Sequence, residues 1–318
     1  MKLLNTIRKT KNFDVYQPWG RSGRINPFYI DHWLETFEDE LPYRICIIRD
    51  FDLLNNDEWE EVIEYLSLAY RKILVCSEGI TSLEPLGWSR MPKMFDSVIW
   101  INNERPVPEH YEQEFYWPAH WFRTIQFYSK SNPKVFNEEK IYKSSLRIKN
   151  RREWKDKLLK SIQINDLFDS IKLAISHRNP FVPDSPCFFS SEGEYYNEEY
   201  PSREQCQSFS LIVSETSEVQ ITEKTWQALY HQSPIFFHTG PVIQKLREYG
   251  FTIDFEGMEI DYDVPDVTNI LVNTLHDSLP EIENIFRHNK IKSFENYKKV
   301  SDINHFNNLF KPLFFDKL

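Results

Sequence analysis

The sequence predicts an α/β protein built as two domains. Short apolar runs rich in β-formers recur at residues 44–48, 72–76, 97–101, 145–148, 171–175, 209–213 and 234–237. Segments of helical period separate several of them, and strand–helix–strand spacing of this kind builds parallel sheets with crossovers. The 318 residues are enough for two domains of ordinary size.

The first domain is placed at 1–140. Residues 14–17 read as a short strand, followed by the cationic loop Pro18-Trp19-Gly20-Arg21-Ser22-Gly23-Arg24. Residues 27–37 read as a helix, and the strand 44–48 ends at Arg49-Asp50-Phe51-Asp52. Residues 57–70 form an amphipathic helix with Trp59, Val62, Ile63, Leu66 and Ala69 on one face. After the strands 72–76 and 97–101, Trp117-Pro118-Ala119-His120-Trp121 reads as an aromatic loop before the exit near 129–133.

The second domain is placed at 141–300. It opens with the strand 145–148, a helix over 151–162 with Trp154, Leu158 and Ile162 inward, and the strand 171–175. Residues 177–207 are a long insertion rich in Pro, Ser, Glu and Tyr, of the length that usually serves function. The strand 209–213 follows, and the polar stretch 215–220 cannot continue it. Thr222 is placed as the N-cap of a helix beginning at Glu223, whose Trp226, Leu229 and Tyr230 share one face. The strand 234–237 closes at Gly240-Pro241. A helix over 242–249, a strand over 251–255, an acidic stretch 256–266 and helices over 267–278 and 281–299 complete the domain. In the tail 301–318, Phe306, Leu309, Phe310, Leu313 and Phe314 can pin the chain back onto the first domain.

Composition narrows the class. With 41% apolar and 15% aromatic residues, this is not a disordered chain. No stretch approaches 18 continuous apolar residues, so no membrane span is expected. The start lacks the apolar core of a signal peptide, and a cytoplasmic location is expected. Cys46, Cys76, Cys187 and Cys206 are far apart and show no zinc spacing. Only eight glycines occur, with no P-loop and no GxGxxG. The net charge of −10 disfavours nucleic acid and anionic membranes as partners of the molecule as a whole. Residues 140–160 run against this with nine Lys or Arg and two acids, which predicts one anion-facing patch.

The chemistry is placed at Glu223-Lys224. A helix N-terminus offers free N–H groups and a partial positive charge, and Lys224 adds a full cation there. Glu223 adds an acceptor pair for the two hydroxyls of a ribose, so the two residues match a nucleoside diphosphate. The same acid at a helix start is also ordinary capping. Asn150-Arg151-Arg152-Glu153-Trp154 opens a helix straight after a strand, where an arginine fork and helix N–H groups can neutralise a pyrophosphate without a metal. Arg151 and Arg152 are therefore candidates. Arg178, in His177-Arg178-Asn179, is a further phosphate or base contact at a strand end.

The segments Phe209-to-Glu215, Ile221-Thr222-Glu223-Lys224 and Ser233-Pro234-Ile235 resemble the donor-binding half of the α-1,3-fucosyltransferase family. That family's pattern is an acid-containing strand end, a short loop, a V-T-E-K helix start and a small-residue, proline-containing strand. Similar segments occur in viral and bacterial glycosyltransferase-like proteins. The resemblance covers roughly residues 144–260, and Gln220 stands where the family often has an aromatic. It implies a GT-B-like fold, with two Rossmann-like domains facing a cleft. It implies a nucleotide-sugar donor held through Arg151, Glu223 and Lys224, with Glu215 and Thr222 beside them. No cofactor other than this co-substrate is expected.

Asp50-Phe51-Asp52 matches the DxD metal motif superficially, and no metal is expected. An inverting transfer needs a base in the first domain, and Asp50, Glu114 and His120 are the candidates, with Asp31 beside them. A retaining mechanism needs no such base. The acceptor is either a surface glycan or hydroxymethylated pyrimidine in phage DNA. The rivals are a non-catalytic nucleotide- or glycan-binding protein of the same fold, and a structural protein in which the Glu223 helix is only a capped core helix.

Overall fold

A computed structural model describes residues 7–16, 30–49, 61, 63–64, 71–76, 95–101, 114–128, 139–148, 153–175, 188–189, 203–215, 221–237, 240–258, 260–262 and 268–318. The chain divides into two compact units, Met1–Arg123 with Phe306–Leu318, and Thr124–His305.

The first unit holds a sheet of six described strands in the order β1-β2-β3-β4-β5-β6. These are β1 Ile7–Lys9, β2 Phe13–Tyr16, β3 Ile45–Arg49, β4 Arg71–Cys76, β5 Ser97–Ile101 and β6 Glu114–Trp117. β1 is antiparallel to β2, and the rest are parallel. From β2 to β6 the strands follow one another in chain order, so the sheet winds in one direction. Among the described strands there is no reversal of the kind a Rossmann sheet has. Phe13, Val15, Ile45, Ile47, Ile73 and Val75 are buried on one face, and Tyr16, Cys46, Ile48 and Leu74 on the other, as parallel strands covered on both faces require.

The helix α1 spans Ile30–Glu35. Trp117-Pro118-Ala119-His120-Trp121 is no loop: β6 ends at Trp117, and the helix α2 spans Ala119–Tyr128. Pro118 separates them, and its carbonyl accepts from the N–H of Trp121 (3.0 Å) and Phe122 (3.2 Å), so it caps the helix. Trp33, Trp117, Trp121 and Phe122 are wholly buried with Phe306. Phe306 meets Trp121 edge-on at 5.2 Å, Phe310 meets Trp121 at 5.7 Å, and Phe314 meets Trp33 at 5.4 Å. Asn307 Oδ1 accepts from the Trp33 indole at 2.7 Å, and the Ser97 hydroxyl donates to the Lys317 carbonyl at 2.6 Å.

The second unit holds β7 Tyr142–Ile148, β8 Ile171–Ile175, β9 Phe188–Phe189, β10 Ser208–Val213 and β11 Ile235–Phe237. Their order is β11-β10-β7-β8-β9, and all adjacent pairs are parallel. Counted along the chain from β7, this is the Rossmann order 3-2-1-4-5. Its described helices are α3 Glu153–Ile164, α4 Arg203–Cys206, α5 Glu223–Tyr230, α6 Gly240–Glu248, α7 Thr268–Leu275, α8 Leu279–His288 and α9 Lys290–Ser301. Ile303–Phe315 forms α10, which carries the phenylalanines of the first unit's core.

Three expectations are corrected here. The buried stripe of α3 is Lys155, Leu158, Leu159 and Ile162, with Trp154 only half-buried. Residues 251–255 join no described sheet. They run extended, with Phe251, Ile253 and Phe255 buried, and side chains of α9 take the place of a neighbouring strand. Asn296 accepts from the N–H of Thr252 and donates to its carbonyl, at 2.9 and 2.7 Å. Asn289 does the same at Glu256, at 2.8 and 2.7 Å. Lys292 and Lys299 donate to the carbonyls of Asp254 and Gly250. Helical spacing on one side thus meets the two-residue period of extended chain on the other. Asn289, drawn inward, also marks the break between α8 and α9 within the predicted 281–299 helix.

Candidate functional site

The winding of the second sheet selects a place for chemistry. From β7 the chain crosses through α3 to β8 on one side, and from β10 it crosses through α5 to β11 on the other. Right-handed crossovers in opposite directions put α3 and α5 on opposite faces of the sheet. In agreement, α3 packs against α7, whereas α5 packs against α9. The chain therefore parts between the carboxyl ends of β7 and β10, the point where open α/β sheets bind ligands.

Glu215 follows the end of β10 at this point, and Glu223 opens α5. Glu215 is wholly buried. One carboxylate oxygen accepts from the Thr222 N–H (2.9 Å) and the Thr225 hydroxyl (2.6 Å), and the other from the Thr222 hydroxyl (2.5 Å). The Lys224 ammonium lies 3.6 Å from the same carboxylate and 3.4 Å from that of Glu223. It also donates to the Thr222 hydroxyl at 3.2 Å. Burial lowers the pKa of Lys224, but Coulombic attraction to Glu223 and then Glu215, with hydrogen bonds to both, outweighs it. The net result is a pKa above the ordinary lysine value.

This geometry changes two expected roles. Glu215 is committed to the protein: its carboxylate holds the start of α5, where a ligand's phosphate was expected. Thr222 occupies the N-cap position, but its side chain makes no cap bond and donates to Glu215 instead. Glu223 is the outward carboxylate of the pair, with a side chain 42% exposed against 17% for Lys224 and none for Glu215. The cluster thus joins one exposed acceptor, one largely buried cation and one buried acid that fixes them. With two carboxylates to one ammonium, its own sum is one negative charge, so a diphosphate here needs further cations.

Arg151, Arg152 and Arg178 lie outside the described residues, as does Asp50 with the rest of its DxD run. Of the base candidates, Glu114 is the first residue of β6, at the amino edge of its sheet, and its side chain is not described. His120 stands in the first turn of α2, past the carboxyl end of β6, and is half-buried. Position alone therefore favours His120 over Glu114. Asp31 is buried in the first turn of α1.

Among the described residues, the lysines of the basic run 140–160 do not share one cationic face. Lys140 donates to the Cys206 carbonyl and Lys143 to the Leu275 carbonyl, Lys155 is wholly buried, and Lys157 pairs with Glu153. Sequence reasoning missed Lys155 because a lysine on a core-facing helical stripe breaks the apolar pattern by which such stripes are found. Among the described residues, no group of three or more His, Cys, Asp or Glu converges as a metal site would require. Nor is any described helix long and apolar enough to cross a membrane. No protein-family model, no curated protein and no solved structure matches the chain.

Proposed function

We propose that the protein is a GT-B-like glycosyltransferase whose second unit binds a nucleotide-sugar donor. The observation that carries this reading is the reversal of winding between β7 and β10, with Glu223 and Lys224 at the helix start beside it. Glu223 accepts from the ribose hydroxyls, and Lys224 faces the diphosphate. The α-1,3-fucosyltransferase-like sequence around them gives the same assignment. Arg151, Arg152 and Arg178 supply the positive charge that the Glu215–Lys224–Glu223 cluster lacks, and no metal is then required to neutralise the leaving group. The first unit supplies the acceptor side and, for an inverting transfer, the base, with His120 the best placed. A glycan is the favoured acceptor, because, among the described residues of the basic run that pointed to DNA, Lys140 and Lys143 donate to internal carbonyls and Lys155 is buried.

A second reading is favoured by one observation. Lys224 is already flanked by two carboxylates, as suits a binding protein of the same fold without turnover. Thermal shift with UDP, GDP, CMP and their sugars tests both. A specific ligand at 100-fold its dissociation constant adds about 2.7 kcal/mol of stability. Lys224→Ala should abolish that gain, and a wild-type protein unmoved by the whole panel would remove the donor assignment. Sugar release or transfer then separates the enzyme from the binding protein.

A further inference from the structure

Lys224 carries two counter-ions of unlike standing. Glu215 is wholly buried and fastened by three donors, the Thr222 N–H at 2.9 Å, the Thr225 hydroxyl at 2.6 Å and the Thr222 hydroxyl at 2.5 Å. Its carboxylate stands 3.6 Å from the ammonium and cannot turn away without abandoning those bonds where water does not reach. Glu223 is held to Lys224 by less. The contact is 3.4 Å, beyond the usual length of a hydrogen bond between nitrogen and oxygen, and the side chain is 42% exposed. Successive residues of a helix point about 100° apart, so a pairing of neighbours is not one that helix geometry supplies. Burial works against the charge on Lys224, and of the attractions that outweigh it, that of Glu223 is larger than that of Glu215. The looser partner is thus also the one whose charge a rival anion has to match.

We propose that a phosphate reaches Lys224 by exchange: it takes the place of Glu223 beside the ammonium, while Glu215 and Thr222 stay and hold the lysine still. The inference rests on the reading of Lys224 as the phosphate contact of the donor. Glu223 is the counter-ion before the exchange and the phosphate after it, so a largely buried cation is never left unpaired. Once displaced, the Glu223 carboxylate turns to the ribose hydroxyls, and the two contacts of a nucleoside diphosphate form together. Bare pyrophosphate carries the displacing charge but no ribose, so it breaks the pair with no compensating contact. Glu223 therefore opposes pyrophosphate and favours a nucleotide. Neither a solvated surface pair nor plain repulsion of anions acts on the two with opposite signs.

The test is calorimetric titration of the full chain with inorganic pyrophosphate, UDP and GDP in buffer without divalent cations. Wild type should bind UDP or GDP more tightly than pyrophosphate. Glu223→Ala should bind pyrophosphate about two- to fivefold more tightly, the fold-change that corresponds to an exposed ion pair. It should bind the nucleotide at least about threefold more weakly, because hydroxyl bonds to a carboxylate outweigh that gain. Glu215→Gln removes the same formal charge, and its amide oxygen can still accept from the Thr222 N–H and the Thr225 hydroxyl. It leaves Lys224 more dependent on Glu223, so pyrophosphate should bind no more tightly than to wild type. Melting temperatures check that both variants fold. If Glu215→Gln does not, the opposite signs in Glu223→Ala decide alone. Should Glu223→Ala move pyrophosphate and the nucleotide in the same direction, or move neither, the exchange is overturned while the donor assignment stands. The same holds if Glu215→Gln tightens pyrophosphate as Glu223→Ala does. Pyrophosphate tightened by Glu223→Ala, in a protein that binds neither nucleotide better than pyrophosphate, would uphold the exchange and remove the donor. A wild-type protein that binds none of the three would overturn both.

Discussion

Glu215 and Glu223 show how burial divides work between two like side chains. Glu215, wholly buried, satisfies a backbone N–H, two hydroxyls and an ammonium, whereas Glu223 is 42% exposed and pairs with Lys224. Removing one partner from a buried charged cluster typically costs about 3–5 kcal/mol, and an exposed ion pair about 1 kcal/mol or less. Urea unfolding should therefore find Glu215→Ala severely destabilised and Glu223→Ala near wild type, while ligand binding should suffer in Glu223→Ala. Lys224 makes a prediction in pH. Its folded pKa lies above the ordinary 10.5, so the folded state holds that proton more tightly than the unfolded chain. The resulting stabilisation is present in full below the unfolded value and fades as pH rises through the folded one. Stability should thus fall with pH more steeply above 10.5 in wild type than in Lys224→Met. Glu223 and Lys224 were legible in the sequence because helix starts have local signatures. The role of Glu215 was not, because it depends on a strand end meeting a helix start across a loop.

At the scale of elements, most strands were legible and their surroundings were not. β3, β4, β5, β8 and β10 lie within one residue of the apolar runs that predicted them, since a strand covered on both faces must be apolar throughout. Residues 251–255 instead alternate buried apolar and more exposed polar residues, as a half-covered strand does, yet the edge that meets them is α9. Pattern reports which side chains are buried, not what satisfies the backbone. Asn296→Ala should leave the N–H and carbonyl of Thr252 without their partner and cost about 2 kcal/mol or more in urea unfolding. It should also raise amide exchange at residues 251–256. A strand paired in a sheet would be indifferent to that substitution.

Across the whole molecule, each unit builds its own core from distant parts of the chain. In the first unit, Phe306 reaches Trp33, Trp117, Trp121 and Phe122, at centroid distances between 5.2 and 6.3 Å. Phe306→Ala should accordingly cost about 3–5 kcal/mol, the usual range for a buried phenylalanine, whereas Leu313→Ala, 51% exposed, should be nearly neutral in the same denaturation. By itself, the sequence determined the α/β class, the parallel pairing and the helix that begins at Glu223. These follow from local periodicity, capping and the lengths of crossovers. Only the tertiary structure decided that one sheet winds in a single direction while the other reverses between β7 and β10. It alone buried Glu215 under Lys224. Each of those outcomes depends on which distant segments become neighbours, and the free energy of such contacts is not written in the spacing of residues along one stretch of chain.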